Sequence, residues 1–383
     1  MKRLARYILY FFIGSFLGLL YLWWKQPGLL SFSRRASLES GSVWTQHDTL
    51  PAVPADTPSP QIKILFGGDV MLDRHIRTMA QETGYDALLS DSLKQLLANH
   101  DLVVVNLEGP ITDNPSRSVG SMPGSTDNFF FTFDPEVNQF LVDHNMRLVN
   151  LGNNHMDDFG VDGIISTLNY LSQARIEHFG WVASSEEMEE YNQEYLVLEV
   201  DDFLLGFVNF NQFGNQTFAS AIEAVEMMVD EVDYLIVYAH WGNEYVSEPG
   251  AVIVNQAHQL VDTGADLIIG SHPHVIQPLE DYQGKRIYYS LGNFIFDQYF
   301  SPEVRRGQLV QLTLEKSLID EDGAEKVVAS FDEFEVSMTS RQPVELIVEE
   351  EVEVAEVDES DKSASEGAST SPEADTYNDS LSL

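Results

Sequence analysis

From Gln61 onward the chain repeats one pattern: a short apolar run that ends in a cluster of Gly, Asn, Asp, Glu or His. The runs are Ile62–Phe66, Leu102–Asn106, Leu148–Leu151, Tyr234–Ala239, Ala265–Ile269 and Ile287–Leu291. Between several of them lie stretches with helical spacing, such as Val161–Gln173 and Ile253–Asp262. Strands that alternate with helices predict α/β layers, with functional loops at the carboxyl ends of the strands. Two hairpins are predicted as well. One joins Tyr195–Val200 to Phe203–Phe210 at Asp201-Asp202, and the other turns at Gln283-Gly284-Lys285.

Both ends of the chain depart from this pattern. Lys2, Arg3 and Arg6 precede Tyr7 to Trp24, a run without a charged residue, which Trp23, Trp24 and Lys25 close. About 18 apolar residues at roughly 1.5 Å each nearly match the roughly 30 Å hydrocarbon core of a bilayer. Basic residues before the span and a Trp pair after it predict a single-pass membrane anchor, with a cytoplasmic N-terminus and an exported main domain. The alternative is a cleaved signal peptide, but the span is long for one and no A-x-A-like site follows closely. Residues 27–60, rich in Ser, Pro and Thr, read as a tether to a globular domain over 61–344. Beyond Val344 come thirteen acids and one base, so residues 345–383 are expected to be disordered.

Charge limits the partners. The net charge is -40, and setting aside the tail and the six bases up to Arg35 leaves 48 acids against 14 bases, a net of -34. Such a surface repels nucleic acid, so no nucleic-acid partner is expected. Cysteine is absent, so a metal would be held by His, carboxylate or amide oxygen.

Five loops carry that chemistry. Gly67-Gly68-Asp69 follows the first strand, and its glycines predict a tight turn that presents Asp69 at the strand tip. Asn106-Leu107-Glu108-Gly109-Pro110 places an amide and a carboxylate at alternating positions as the second strand ends. Asn153-Asn154-His155 offers a neutral oxygen ligand beside a titratable ring, and His240 ends an apolar strand. The sharpest is Ser271-His272-Pro273-His274, where a proline of fixed φ stiffens a loop carrying two imidazoles. Asp69, Glu108, Asn154, His240, His272 and His274 thus stand at successive strand ends. Oxygen and nitrogen ligands without sulfur suit divalent Mn, Fe, Zn or Mg. Asp73-Arg74-His75 mimics a ligand pair but falls in the helix expected next.

Six motifs in order, GGDVMLDR, NLEGPIT, NLGNNHMDDFG, HWGNEY, GSHPHVIQP and YSLGNFIFDQ, resemble the CapA family of poly-γ-glutamate capsule synthesis proteins over roughly Gln61 to Leu314. That family is similar in fold to calcineurin-like metallophosphoesterases. The resemblance therefore implies a metallophosphatase-like two-sheet sandwich flanked by helices, holding one or two divalent metal ions. Position by position it implies Asp69, Glu108, Asn154, His240, His272 and His274 as metal ligands and His155 as a catalytic proton donor. Met71 stands where the phosphoesterase pattern has a further histidine ligand.

Two readings follow. In one, the domain serves capsule biosynthesis or export, handling an anionic capsule polymer or its precursor beside membrane synthase subunits. In the other, it is a metal-dependent hydrolase acting on a phosphoester or γ-glutamyl amide outside the cytoplasm, unrelated to capsule.

Overall fold

Strands buried on both faces read as unbroken apolar runs, because each face meets a different layer. The computed structural model describes residues 60–180, 182, 190–317 and 326–347, together with the backbone of β1 (Arg35–Ser37). The expected membrane span and the tail beyond Ile347 lie outside the described residues. Among the described residues no helix is long and apolar enough to cross a membrane.

Two sheets form. The first holds β1, β6 (Tyr195–Val200), β7 (Phe203–Asn211), β8 (Tyr234–His240), β9 (Leu267–Ser271), β11 (Lys285–Tyr288) and β10 (Leu279–Tyr282), in that order. The second runs β15 (Glu345–Ile347), β14 (Lys326–Ser337), β13 (Arg306–Ser317), β2 (Gln61–Val70), β3 (Leu102–Leu107), β4 (Met146–Asn150) and β5 (Glu177–Phe179), and β12 (Asn293–Ile295) also pairs with β2. The strands that carry the site motifs, β2 to β4 in one sheet and β7 to β9 in the other, are parallel to their neighbours within each group. Their carboxyl ends therefore gather.

Alternation along the strands builds the layers. Ile64 and Phe66 of β2, with Val104 of β3, enter an apolar cluster shared with Phe207, Ile236, Tyr238 and Ile269 of the first sheet. Leu65, Val103 and Val105 enter a second cluster with helices α1 (Arg74–Thr83), α2 (Asp91–Ala98), α3 (Val137–Asp143) and α4 (Gly160–Ala174). Val208, Val237 and Ile268 enter a third with α5 (Phe218–Met228) and α6 (Ala251–Thr263). The result is a mixed α/β sandwich of two sheets with helices packed outside both. Each fully buried Ile, Leu or Phe stabilises by about 1.5–3 kcal/mol relative to exposure, enough collectively to carry the polar site described below.

Both hairpins fold as predicted, about Asp201-Asp202 and Gln283-Gly284. Two boundaries differ. The chain pairs past Val344, since Glu345–Ile347 adds to β14. More consequentially, β2 does not end in a turn at Gly67-Gly68. It continues to Val70 through a bulge in which Phe66 pairs with Val104 and Asp69 with Asn106, three steps facing two. The reason for Gly68 is close approach, because a Cβ there would lie 1.9 Å from the Gly292 carbonyl oxygen.

Candidate metal centre

The bulge sets Asp69 level with Asn293 of β12 on one side and Asn106 of β3 on the other, and Asn106 pairs in register with Asn150 of β4. Four polar residues thus cross the strands where the apolar runs end. Asn106 is the hub. Its Nδ2 donates to Asp69 Oδ1 at 2.8 Å and lies 3.3 Å from Glu108 Oε2, while its Oδ1 accepts from Asn150 Nδ2 at 2.9 Å. Asn209 Nδ2 on β7 donates to Asn150 Oδ1 at 2.9 Å, tying the two sheets together at this edge. Asn150 and Asn209 escape a reading that looks only at loops. Their signal is an amide at the end of an otherwise apolar run.

All six ligand candidates come to this place. One ligand atom each of Asp69, Glu108 and His240 lies within 4.8 Å of the others. His240 Nε2 is 2.8 Å from Asn154 Oδ1, and its Nδ1 is 2.9 Å from Ser271 Oγ. His274 Nδ1 stands 3.2 Å from Asp69 Oδ2, and its Nε2 stands 3.7 Å from Glu108 Oε1. The His272 backbone N–H donates to Asp69 Oδ2 at 3.2 Å, and its ring centroid is 4.9 Å from that of His240. Asp69, Glu108, His240, His272 and His274 are buried, whereas Asn154 and His155 are half-buried.

The loop between β9 and β10 is strained, as a stiff ligand loop would be. His272 has φ 94 and His274 φ 57 on either side of Pro273, in a region that costs of order 1–3 kcal/mol for such residues. Asn293 Oδ1 lies 2.9 Å from His274 Nδ1 and holds that ring. The Ser290–Asn293 segment thereby acquires a role: it steadies His274 and supplies the carbonyl that receives the Asp69 backbone N–H at 3.1 Å.

His155 stands beside the ligand candidates. Its Nδ1 is 3.1 Å from Asp158 Oδ2, which also accepts the Phe131 N–H at 2.7 Å, and the Phe131 ring lies 4.2 Å from the imidazole. Met71 does not join the cluster. It is buried in the helix-side core, and its Sδ accepts the Asp73 backbone N–H at 3.1 Å. His75, His100 and His258 serve elsewhere, against Ser340, Gln311 and Glu280 respectively.

Electrostatics separate the two acids. Burial pushes the Asp69 carboxyl up, but the His274 ring, bonded to it, and then His240 outweigh burial and hold it at about 2. Burial and next the Asp69 charge push Glu108 well above the usual carboxylate range. Burial, then the His272 ring, lowers His240 well below the usual histidine range; burial, then His274, lowers His272 to about 3. Neutral imidazole is the form that ligates metal.

The donor set fits a divalent cation. Glu108 Oε1 and His272 Nδ1 are buried with no hydrogen-bond partner, and an orphaned buried polar atom ordinarily costs about 1–3 kcal/mol. Asp69, Glu108, Asn154, His240, His272 and His274 would hold it. None of these ligands is sulfur, which favours metals of borderline or hard character.

The PGA_cap family of bacterial capsule synthesis proteins matches residues 63–298. The PGA biosynthesis protein CapA of Bacillus subtilis (strain 168) is 27% identical over 266 residues, covering 66% of this chain and 67% of that protein. The capsule biosynthesis protein CapA of Bacillus anthracis is 26% identical over 272 residues, covering 67% of this chain and 65% of the relative. The chain thus spans about two thirds of the length of these relatives. A solved structure, TT1561 of Thermus thermophilus, aligns over 70% of this chain and 99% of its own, at 9% identity and a TM-score of 0.34, a likeness too slight to bear on function. The family match spans the strands and loops that build the centre, and the chain belongs to the bacterial capsule synthesis protein family PGA_cap.

Proposed function

We propose that the chain is a membrane-anchored, extracytoplasmic capsule biosynthesis or export protein whose metallophosphoesterase-type centre holds one or two divalent ions. The observation that carries the metal is the pair of orphaned buried atoms, Glu108 Oε1 and His272 Nδ1, inside a cluster of acids and imidazoles. Family membership, with relatives named for capsule and PGA biosynthesis, supports the capsule role. On this reading the partners are an anionic capsule polymer or its precursor and synthase subunits in the membrane.

A second reading, hydrolysis of a phosphoester or γ-glutamyl amide, has its own support in the His155–Asp158 pair. A divalent ion in the centre supplies Lewis acidity toward a phosphoryl or carbonyl oxygen. The chain's own groups do the rest. Asp158 accepts from His155 Nδ1, which fixes the ring and leaves Nε2 for proton delivery to a departing oxygen or nitrogen. Asn106 donates to Asp69 and lies beside Glu108, which holds the two acids in place.

Deleting the gene in its own host and complementing with wild type or Asp69→Ala tests the capsule role. Surface-bound polymer should fall on deletion, return with wild type, and stay low with Asp69→Ala. Unchanged polymer on deletion would overturn the reading.

A further inference from the structure

Beside the centre lies an open cleft of about 510 Å³ that none of the ligands lines; Arg74, Ser118, Asn128, Tyr245, Gln298 and Phe300 are among its walls. It adjoins the centre directly. The Tyr245 ring centroid is 6.0 Å from that of His274, and Gln298 Oε1 accepts from the Asn293 amide that steadies the same histidine. The Arg74 guanidinium lies over the Phe131 and Phe296 rings, at 5.0 and 5.3 Å, and those rings in turn touch His155 and His274.

Arg74 is held in a built arrangement. Asp297 accepts from Nη2 and also from the His75 backbone N–H, so one carboxylate fixes both the guanidinium and the start of α1. Of the five donors a guanidinium carries, the described residues take one at Asp297 and one weakly, at 3.5 Å, at the Asn128 carbonyl; Nε is buried without a partner. Backbone strain points the same way. Among described non-glycine residues with positive φ, Asn145, Arg175, Asp201 and Gln283 sit at helix C-termini or hairpin turns, where such angles belong. The other four are Arg74, Tyr245, His272 and His274, all at the centre or its cleft. Strain of this kind persists where the surroundings over-determine a functional geometry.

We propose, building on the capsule-polymer reading, that this cleft grips a single carboxylate-bearing residue of a polyamide chain next to the metal centre. Arg74 is the contact for the carboxylate, and Tyr245 and Phe300 wall the methylenes. Apart from the Arg74–Asp297 pair and His75 the lining is uncharged, mixing hydroxyl and amide side chains with rings. That composition suits amide links and short aliphatic stretches, and it offers one strong cation rather than a row. The Tyr245 and Phe300 rings meet edge to face at 5.1 Å, and Phe300 is 67% exposed, an apolar surface open to a passing chain. With a net charge of -34 over residues 36–344, a long polyanion gains nothing from running across the surface. The grip is therefore local, and affinity does not grow with polymer length.

The test uses the full-length chain in detergent, loaded with Mn²⁺, and fluorescence anisotropy with labelled γ-linked glutamate trimer and long polymer. Per molecule, the trimer should bind within about threefold of the polymer. Arg74→Gln should keep metal content, lower the thermal midpoint because the nearly buried Asp297 loses its partner, and weaken trimer binding roughly ten- to a hundredfold, as loss of a charged hydrogen bond does. Methyl-esterified trimer should bind wild type as weakly as the acid binds that variant. Phe300→Ala, at an exposed position, should weaken it about fivefold and carries the test should Arg74→Gln misfold. Trimer affinity unchanged in a folded Arg74→Gln or in Phe300→Ala, or affinity that rises steadily with length, would overturn the proposal while leaving the capsule role standing. If neither trimer nor polymer binds while inorganic phosphate binds through Arg74, the polyamide assignment and the polymer reading fall together.

Discussion

Asn106 donates its side-chain amide to Asp69 Oδ1 at 2.8 Å, across the adjoining parallel strands β2 and β3. The same nitrogen stands 3.3 Å from Glu108 Oε2, so one neutral group sits between two fully buried acids. Replacing it by Asn106→Asp removes the donor and adds a third acid. Without metal the variant should lose about 3–5 kcal/mol of stability, the scale of an uncompensated buried charge. Mn²⁺ should restore more of its thermal midpoint than it adds to wild type. Melts in EDTA and in Mn²⁺ check this, and equal midpoints for the two proteins in EDTA would count against the hub role.

Metal content tests the ligand set. Purified wild type should carry one or two divalent ions per chain, and Asp69→Ala or His272→Ala should reduce that number. His258→Ala is the control, because His258 stacks on Tyr282 at 3.8 Å and bonds Glu280, outside the cluster. Elemental analysis that finds equal occupancy in all three variants would reject the site.

His155 separates catalysis from binding. If the centre hydrolyses a phosphoester or amide, His155→Gln should retain metal and lower turnover by at least about a hundredfold, the usual worth of a general acid. Asp158→Asn should lower turnover too, with metal kept, since Asp158 anchors the ring through Nδ1. Asn154→Ala should lower metal and turnover together. A metal-loaded wild type without turnover on any such substrate would leave His155 a group that merely steadies the site.

Arg77 links the core to that histidine. It is buried, its Nε donates to Asp73 Oδ1 at 2.9 Å, and its other nitrogens reach Asp134 and the Thr132 carbonyl. Asp73 in turn accepts the Thr132 N–H at 3.0 Å, fixing the segment that puts Phe131 against His155. Arg77→Ala strands two acids and should cost about 3–5 kcal/mol in denaturant unfolding. A loss under about 1 kcal/mol, the scale of an exposed ion pair, would show that water compensates them.

Topology is tested at the N-terminus. A reporter fused after Gly41 should lie outside the cytoplasm, and the protein should stay with membranes after a salt wash. A soluble product shortened by about 25–40 residues would show a cleaved signal instead.

Much of the site is legible in the chain because the six ligand candidates follow five apolar runs, His272 and His274 sharing one. Asp69, Glu108, Asn154, His240, His272 and His274 stand out as polar residues where a strand stops. The bulge at Gly67-Gly68 is not legible, since glycines predict a turn as readily as a close approach, and only the Gly292 carbonyl distinguishes the two. Asp158 and Asn209 are equally hidden. Their partners, Phe131 and Asn150, are remote in sequence or lie in irregular segments that carry no period.

What the sequence alone determined is the kind of element at each stretch and the residues at each strand end, because side-chain period and local composition are properties of neighbours along the chain. The tertiary structure decided which ends meet. Asp69 and His272, 203 positions apart, share a hydrogen bond because two sheets face each other across a common apolar layer with their parallel strands ending at one edge. That pairing depends on strand order and on packing between layers, which no local pattern encodes. It is also what gathers six separate polar residues, five of them buried, into one cluster with two orphaned atoms.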